Sequence, residues 1–160
     1  MQRGTYGGLI ALALVGFGAS CADSNQRAVS DVAYLSSPDS EALGLPFSEA
    51  VRVGNMIYLS GQIGILPGTM ELVSGGIAEE TRQTLDNIRA VLERHGSSLD
   101  RIVKCTIFLA DIEEWPRLNE VYATYFGEQK PARSAVAGSG LALGARVEID
   151  CIAVVEQSSG

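Results

Sequence analysis

The chain has 160 residues, 46% of them hydrophobic and 19% charged, with a formal net charge of -7. Such a length suits one domain with a core of ordinary size, and the composition is that of a folded soluble protein rather than a disordered one. The acidic balance and the lack of any basic run argue against a nucleic-acid partner, whose phosphates need Lys and Arg.

Residues 1–20 read as a signal segment. Arg3 gives a short positive start, and an uncharged run rich in Leu, Ala, Val and Gly follows from Gly7 to Ala19. That run fits the apolar part of a secretory signal and is short for a membrane span. It ends in Gly18-Ala19-Ser20-Cys21, a pattern of lipoprotein signals that would leave Cys21 as a lipidated N-terminus. Gly18 departs from that pattern, and ordinary cleavage after Ala22 is the alternative. Either route predicts an exported protein, periplasmic or anchored to a membrane through lipid alone. Residues 21–31 are then a polar tether, 32–156 the folded domain and 157–160 a tail.

Within the domain, Val32–Leu35 reads as a strand and 39–46 as a surface loop. Phe47–Val53 and Met56–Ile63 flank the turn signal Gly54-Asn55, which predicts a hairpin. From Ile77 the period changes to that of a helix. Ile77, Thr81, Leu85, Ile88, Val91 and Leu92 share one face, and Gly96 is placed to cap the end. His95, the only histidine, is expected exposed at that end, with no catalytic role.

Ile102–Leu109 reads as a further strand. Asp111 and Glu114 have the spacing of a capping box for a second helix, with Pro116 in its first turn. Trp115, Leu118, Val121, Tyr122 and Tyr125 form its apolar stripe and are read as core, not as a binding platform. Asn119 is the polar residue to watch. Ala132–Ala137 is a short strand, 138–144 a glycine-rich turn and Arg146–Val155 the last strand. There Val147, Ile149, Cys151 and Ala153 point toward the helices. Glu148, Asp150, Ile152 and Val154 point away, on a face apolar enough to expect subunit contact. The element order predicts an α+β sandwich.

Cys105 and Cys151 lie in apolar strands and are expected as buried, inert thiols, although pairing stays open. No Cys/His cluster suggests a metal, and the Gly138-Ser139-Gly140 turn lacks the setting of a nucleotide loop. No cofactor is expected. The chemistry-bearing pair is Arg133 and Glu148. A guanidinium matches a carboxylate at two points, and a glutamate moves protons or orients water. Together they point to a pocket for a compact anionic substrate, against the plainer reading of an ion pair between strands.

Several segments carry a resemblance. They are Ala50-Val51-Arg52-Val53-Gly54-Asn55, Tyr58-Leu59-Ser60-Gly61-Gln62-Ile63, 81–88, 103–109, Asn119-Glu120-Val121-Tyr122, Pro131-Ala132-Arg133-Ser134 and Val147-Glu148-Ile149. In order and spacing, 46–155 resembles the Rid (YjgF, RidA) family of reactive-intermediate imine deaminases. The resemblance implies a chorismate-mutase-like sandwich, with one mixed sheet and two helices on one face. It implies a homotrimer with pockets between subunits, and hydrolysis of 2-imino acids such as 2-iminobutanoate to 2-oxo acids and ammonia. Arg133 would clamp the substrate carboxylate, Glu148 would activate the water, and Ser60 and Asn119 would line the pocket.

Two departures bear on this. Phe47 stands where deaminase members carry a pocket tyrosine, and Ala135 replaces a frequent cysteine. A non-catalytic binder of small carboxylates in the cell envelope is therefore the alternative. Ribonuclease activity, attributed to some relatives, is opposed by the acidic charge and the single helix-end histidine.

Overall fold

In the computed structural model of the protein, Met1 and residues 31–155 are described. The expected signal segment, Cys21, most of the tether and the tail lie outside them. Seven strands form one sheet in the order β1-β2-β3-β7-β5-β6, with β4 also paired to β7. They are β1 (Val32–Leu35), β2 (Ala50–Val53), β3 (Met56–Leu59), β4 (Gln62–Ile63), β5 (Ile102–Leu109), β6 (Ala132–Ala137) and β7 (Val147–Val154). The β5–β6 pair is parallel and the others are antiparallel, so the sheet is mixed.

The two longer helices are α2 (Ile77–Arg94) and α3 (Trp115–Tyr122). Leu85, Ile88 and Leu92 of α2 and Leu118 and Tyr122 of α3 share one core with Val147, Ile149, Cys151 and Ala153 of β7. Those four β7 residues alternate with half-buried Glu148, Asp150, Ile152 and Val154. Both helices therefore cover one face of the sheet and leave the other open. The α+β architecture, the hairpin of β2 and β3 and the apolar face of α2 are as the sequence predicts.

The end of α2 also follows from its sequence. Gly96 has φ +80°, its N–H bonds to the Glu93 carbonyl and the Ser97 N–H bonds to the Leu92 carbonyl. This paired closure needs a left-handed residue after the helix, which glycine adopts without strain.

Five local expectations are corrected. The 39–46 loop begins instead as a five-residue helix, α1 (Pro38–Ala42), because Ser37 and Ser40 form a reciprocal capping box and Pro38 opens the first turn. The strand expected over Met56–Ile63 is broken in two. Tyr58 faces Ile152 and Gln62 faces Ile149, so β3–β4 carries one residue more than β7 across Ser60-Gly61. That is a β-bulge.

Asp111 caps only a 3-10 turn, Ile112–Glu114, while Glu114 binds the Arg146 guanidinium at two points instead of closing a capping box. His95 is not exposed: its Nε2 lies 3.3 Å from Glu49 Oε2, with the ring largely covered. Cys105 and Cys151 are not free thiols. They face each other across β5 and β7 with Cα atoms 4.1 Å apart and form a disulfide. Closing a loop of 46 residues stabilises the fold by about 4 kcal/mol through chain entropy.

Among the described residues no helix is long and apolar enough to cross a membrane.

Candidate active site in two halves

The first half is built around Arg133 on β6, the edge strand beside β5. Arg133 pairs in register with Cys105, a core residue, so its side chain leaves the sheet on the helix face. There α3 meets it. The guanidinium lies 4.7 Å from the centre of the Tyr122 ring and 6.0 Å from that of Trp115. Rings at this distance hold a cation in place while leaving its N–H groups unused. Arg133 makes no hydrogen bond or ion pair with another described residue.

A cavity of about 320 Å³ opens beside it, lined by Asn119, Tyr122, Phe126, Lys130 and Arg133 among others. Asn119 Oδ1 and the Tyr122 hydroxyl are buried and have no hydrogen-bond partner among the described residues. Burial pushes the Tyr122 phenol up to about 12 against the opposing pull of Arg133. It remains a neutral donor. Two cationic side chains and two unfilled polar atoms around one small space suit a compact anion. Trp115 was expected in the core, yet it is 42% exposed. It and Tyr122 flank the arginine, because α3 turns its first residue to the sheet edge rather than to the core.

The second half lies on the open face. Glu148 on β7 points away from the core, beside the bulge at Ser60-Gly61. A Cβ built on Gly61 would overlap Glu148 Oε1 and stand 2.9 Å from Cδ, so only glycine leaves room for this carboxylate. Glu148 is half-buried and makes no hydrogen bond or ion pair with another described residue. Burial, helped by the like charge of Asp150, raises its pKa above the ordinary glutamate value. Such a group is a better proton acceptor than an exposed carboxylate. Ser60 donates its hydroxyl to the Ser48 carbonyl at 2.7 Å, and its N–H goes to the Glu49 carbonyl at 2.9 Å. Phe47, next to Ser48, is 55% exposed.

Within one chain the halves do not meet. Arg133 is level with Cys105 and Glu148 is level with Phe108, on strands either side of β5. Two strand spacings and three residues of offset separate their backbones by on the order of 14 Å, and the side chains leave opposite faces of the sheet. The ion pair between strands is therefore absent, and so is a single-chain pocket holding both. The structure groups Arg133 with Asn119 and places Glu148 beside the Ser60-Gly61 bulge. Sequence reasoning missed Trp115, Tyr122 and Gly61. The Ser-Gly step inside a strand pattern was the available signal for the last.

A further cavity of about 530 Å³ beside Arg89, Glu93 and Tyr125 contains none of these residues. Arg89 there is already paired with Asp86 at 2.7 Å. Among the described residues, no group of three or more His, Cys, Asp or Glu side chains could hold a metal ion.

Residues 38–155 match the family model described as endoribonuclease L-PSP. A RutC family protein of Pyrococcus horikoshii is 48% identical over 111 residues, 69% of this chain and 88% of that one. Human 2-iminobutanoate/2-iminopropanoate deaminase is 44% identical over 109 residues, 68% of this chain and 80% of that protein. The crystal structure of YyfA, a Yersinia pestis protein of the conserved Rid family, superposes with a TM-score of 0.73 at 42% identity, covering 78% of this chain and all of that one. Sequence motifs, sheet order and these matches agree: the chain belongs to the Rid (YjgF) family.

Proposed function

We propose that this protein is an imine deaminase that hydrolyses small 2-imino acids to 2-oxo acids and ammonia. Its pockets are completed between subunits of a homotrimer. The observation that carries this reading is the split site. An uncommitted arginine and an uncommitted carboxylate leave opposite faces of one sheet, so each needs the complementary half of another copy. The names of the mammalian relatives, 44–46% identical, support the substrate class.

In this mechanism Arg133 of one subunit binds the substrate carboxylate through its free N–H groups, and Asn119 orients the rest of the molecule. Glu148 of the adjacent subunit takes a proton from water as the oxygen attacks the imine carbon. Glu148 passes that proton to the nitrogen of the resulting carbinolamine, and as the C–N bond breaks and ammonia leaves, the hydroxyl proton returns to the carboxylate and the carbonyl forms. Ser60 lines the same wall as a hydrogen-bond acceptor. Metal and cofactor have no part in these steps.

The disulfide supports a further part of the reading. Such bonds persist in oxidising compartments, in keeping with an exported domain delivered by the N-terminal segment and, through Cys21, with a lipid anchor. Phe47 favours a second reading, a carboxylate binder without turnover, because position 47 brings no hydroxyl to that wall. Release of ammonia and 2-oxobutanoate from freshly generated 2-iminobutanoate decides between them. Acceleration over buffer that disappears in Arg133→Ala is expected; a wild-type rate equal to buffer would leave only the binder.

A further inference from the structure

Glu49 stands just outside the site, yet its backbone and side chain reach in different directions. Its carbonyl accepts the Ser60 N–H at 2.9 Å, and the neighbouring Ser48 carbonyl accepts the Ser60 hydroxyl at 2.7 Å. Its carboxylate turns the other way, into a cluster that is largely covered. Oε1 accepts the hydroxyl of Ser37, the buried cap of α1, at 2.5 Å. Oε2 accepts from Arg94 at 2.7 Å and lies 3.3 Å from His95 Nε2, both at the end of α2. The Glu49 side chain is only 13% exposed.

We infer that Glu49 is a positioning residue. Its carboxylate fastens the 48–49 backbone to the start of α1 and the end of α2, and thereby holds the Ser60-Gly61 bulge beneath Glu148. The inference rests on the reading of the Glu148 side as half of a hydrolytic pocket. Three features carry it. Ser60 has both its N–H and its hydroxyl committed to residues 48 and 49, so the bulge moves with that backbone. The start of α1 and the end of α2, distant from each other in sequence, converge on one carboxylate, an arrangement that fixes geometry more than it adds net stability. Burial alone would raise the Glu49 pKa, but the Ser37, His95 and Arg94 contacts outweigh it and lower the value, so the clamp stays charged.

Amide hydrogen exchange in the full chain tests the clamp without requiring turnover. In Glu49→Ala the Ser60 amide is expected to exchange on the order of tenfold faster relative to the core amides of Leu85 and Ile88. Glu49→Gln, which keeps an acceptor oxygen for Arg94 and turns an N–H donor to the Ser37 hydroxyl, should restore part of that protection. Turnover should fall in kcat more than in KM, because the Arg133 half is untouched. If Ser60 and the core amides accelerate by one common factor, or Ser60 is unchanged, Glu49 is a stabilising ion pair only and the inference fails. Should Glu49→Ala not fold, Ser37→Ala provides the same comparison with one donor removed. A wild type without turnover would overturn the deaminase reading while the exchange result still decided the clamp.

Discussion

The Glu148 carboxylate fills the space that a side chain at position 61 would need. Glycine at the bulge and glutamate on the neighbouring strand are thus one unit. The obstructing atoms are the far end of a flexible side chain, so Gly61→Ala should displace the carboxylate rather than unfold the domain. We expect a thermal midpoint within a few degrees of wild type, and turnover lower by about 10- to 100-fold, the usual consequence of misplacing a reacting group by about 1 Å. An unchanged rate would show that Glu148 needs no support from the bulge.

The proposed division of the site between copies makes a distinctive prediction for mixtures. Arg133→Ala and Glu148→Gln should each be inactive alone. The arginine variant loses charged hydrogen bonds of about 1.5–3 kcal/mol apiece. Co-expressed, the two should regain about a quarter of wild-type activity, because about one random interface in four joins two intact halves. No recovery in verified mixed oligomers would place the whole site within one chain.

Glu148 also gives a pH signature. Its folded pKa lies above the unfolded value, so its favourable contribution is complete below the unfolded pKa and is lost as pH rises through the folded one. Glu148→Gln, which removes the half-buried charge, should therefore raise the thermal midpoint more at pH 7 than at pH 4. Equal shifts at the two pH values would mean that a cation from a neighbouring subunit already relieves the charge.

The disulfide should be evident in both mass and stability. Without reductant, the chain should be lighter by two hydrogens than its reduced form. Cys105→Ala with Cys151→Ala should cost about 4 kcal/mol, or on the order of 10–15 °C in the midpoint. A reductant-insensitive midpoint would mean that the bond adds nothing in solution.

The sequence made the architecture legible wherever one period dominated. The α2 face from Ile77 to Leu92 and the alternation along β7 both follow from burial on one side only. Short-range chemistry was harder to read. Ser37 and Ser40 nucleate α1 through reciprocal hydrogen bonds that composition does not reveal, and the Ser60-Gly61 bulge shifts a register without breaking the apolar pattern. At the site, Arg133, Glu148 and Asn119 were legible by residue type. Trp115 and Tyr122 were not, because an aromatic on a helix stripe looks the same whether it packs a core or flanks a cation. Spatial separation of Arg133 from Glu148 was also hidden, since it depends on β5 lying between β6 and β7. The Cys105–Cys151 pairing depends on that same strand order.

β5 therefore has a second part to play. Cys105 is level with Arg133 on one side and is covalently joined to Cys151 on the other. The strand carrying the carboxylate is thus bonded to the strand that backs the arginine. This cross-link works as a gauge: it fixes the spacing between the strands that carry the cation and the acid. In the proposed oligomer, a loosened spacing would let each chain keep its fold while the copies no longer matched.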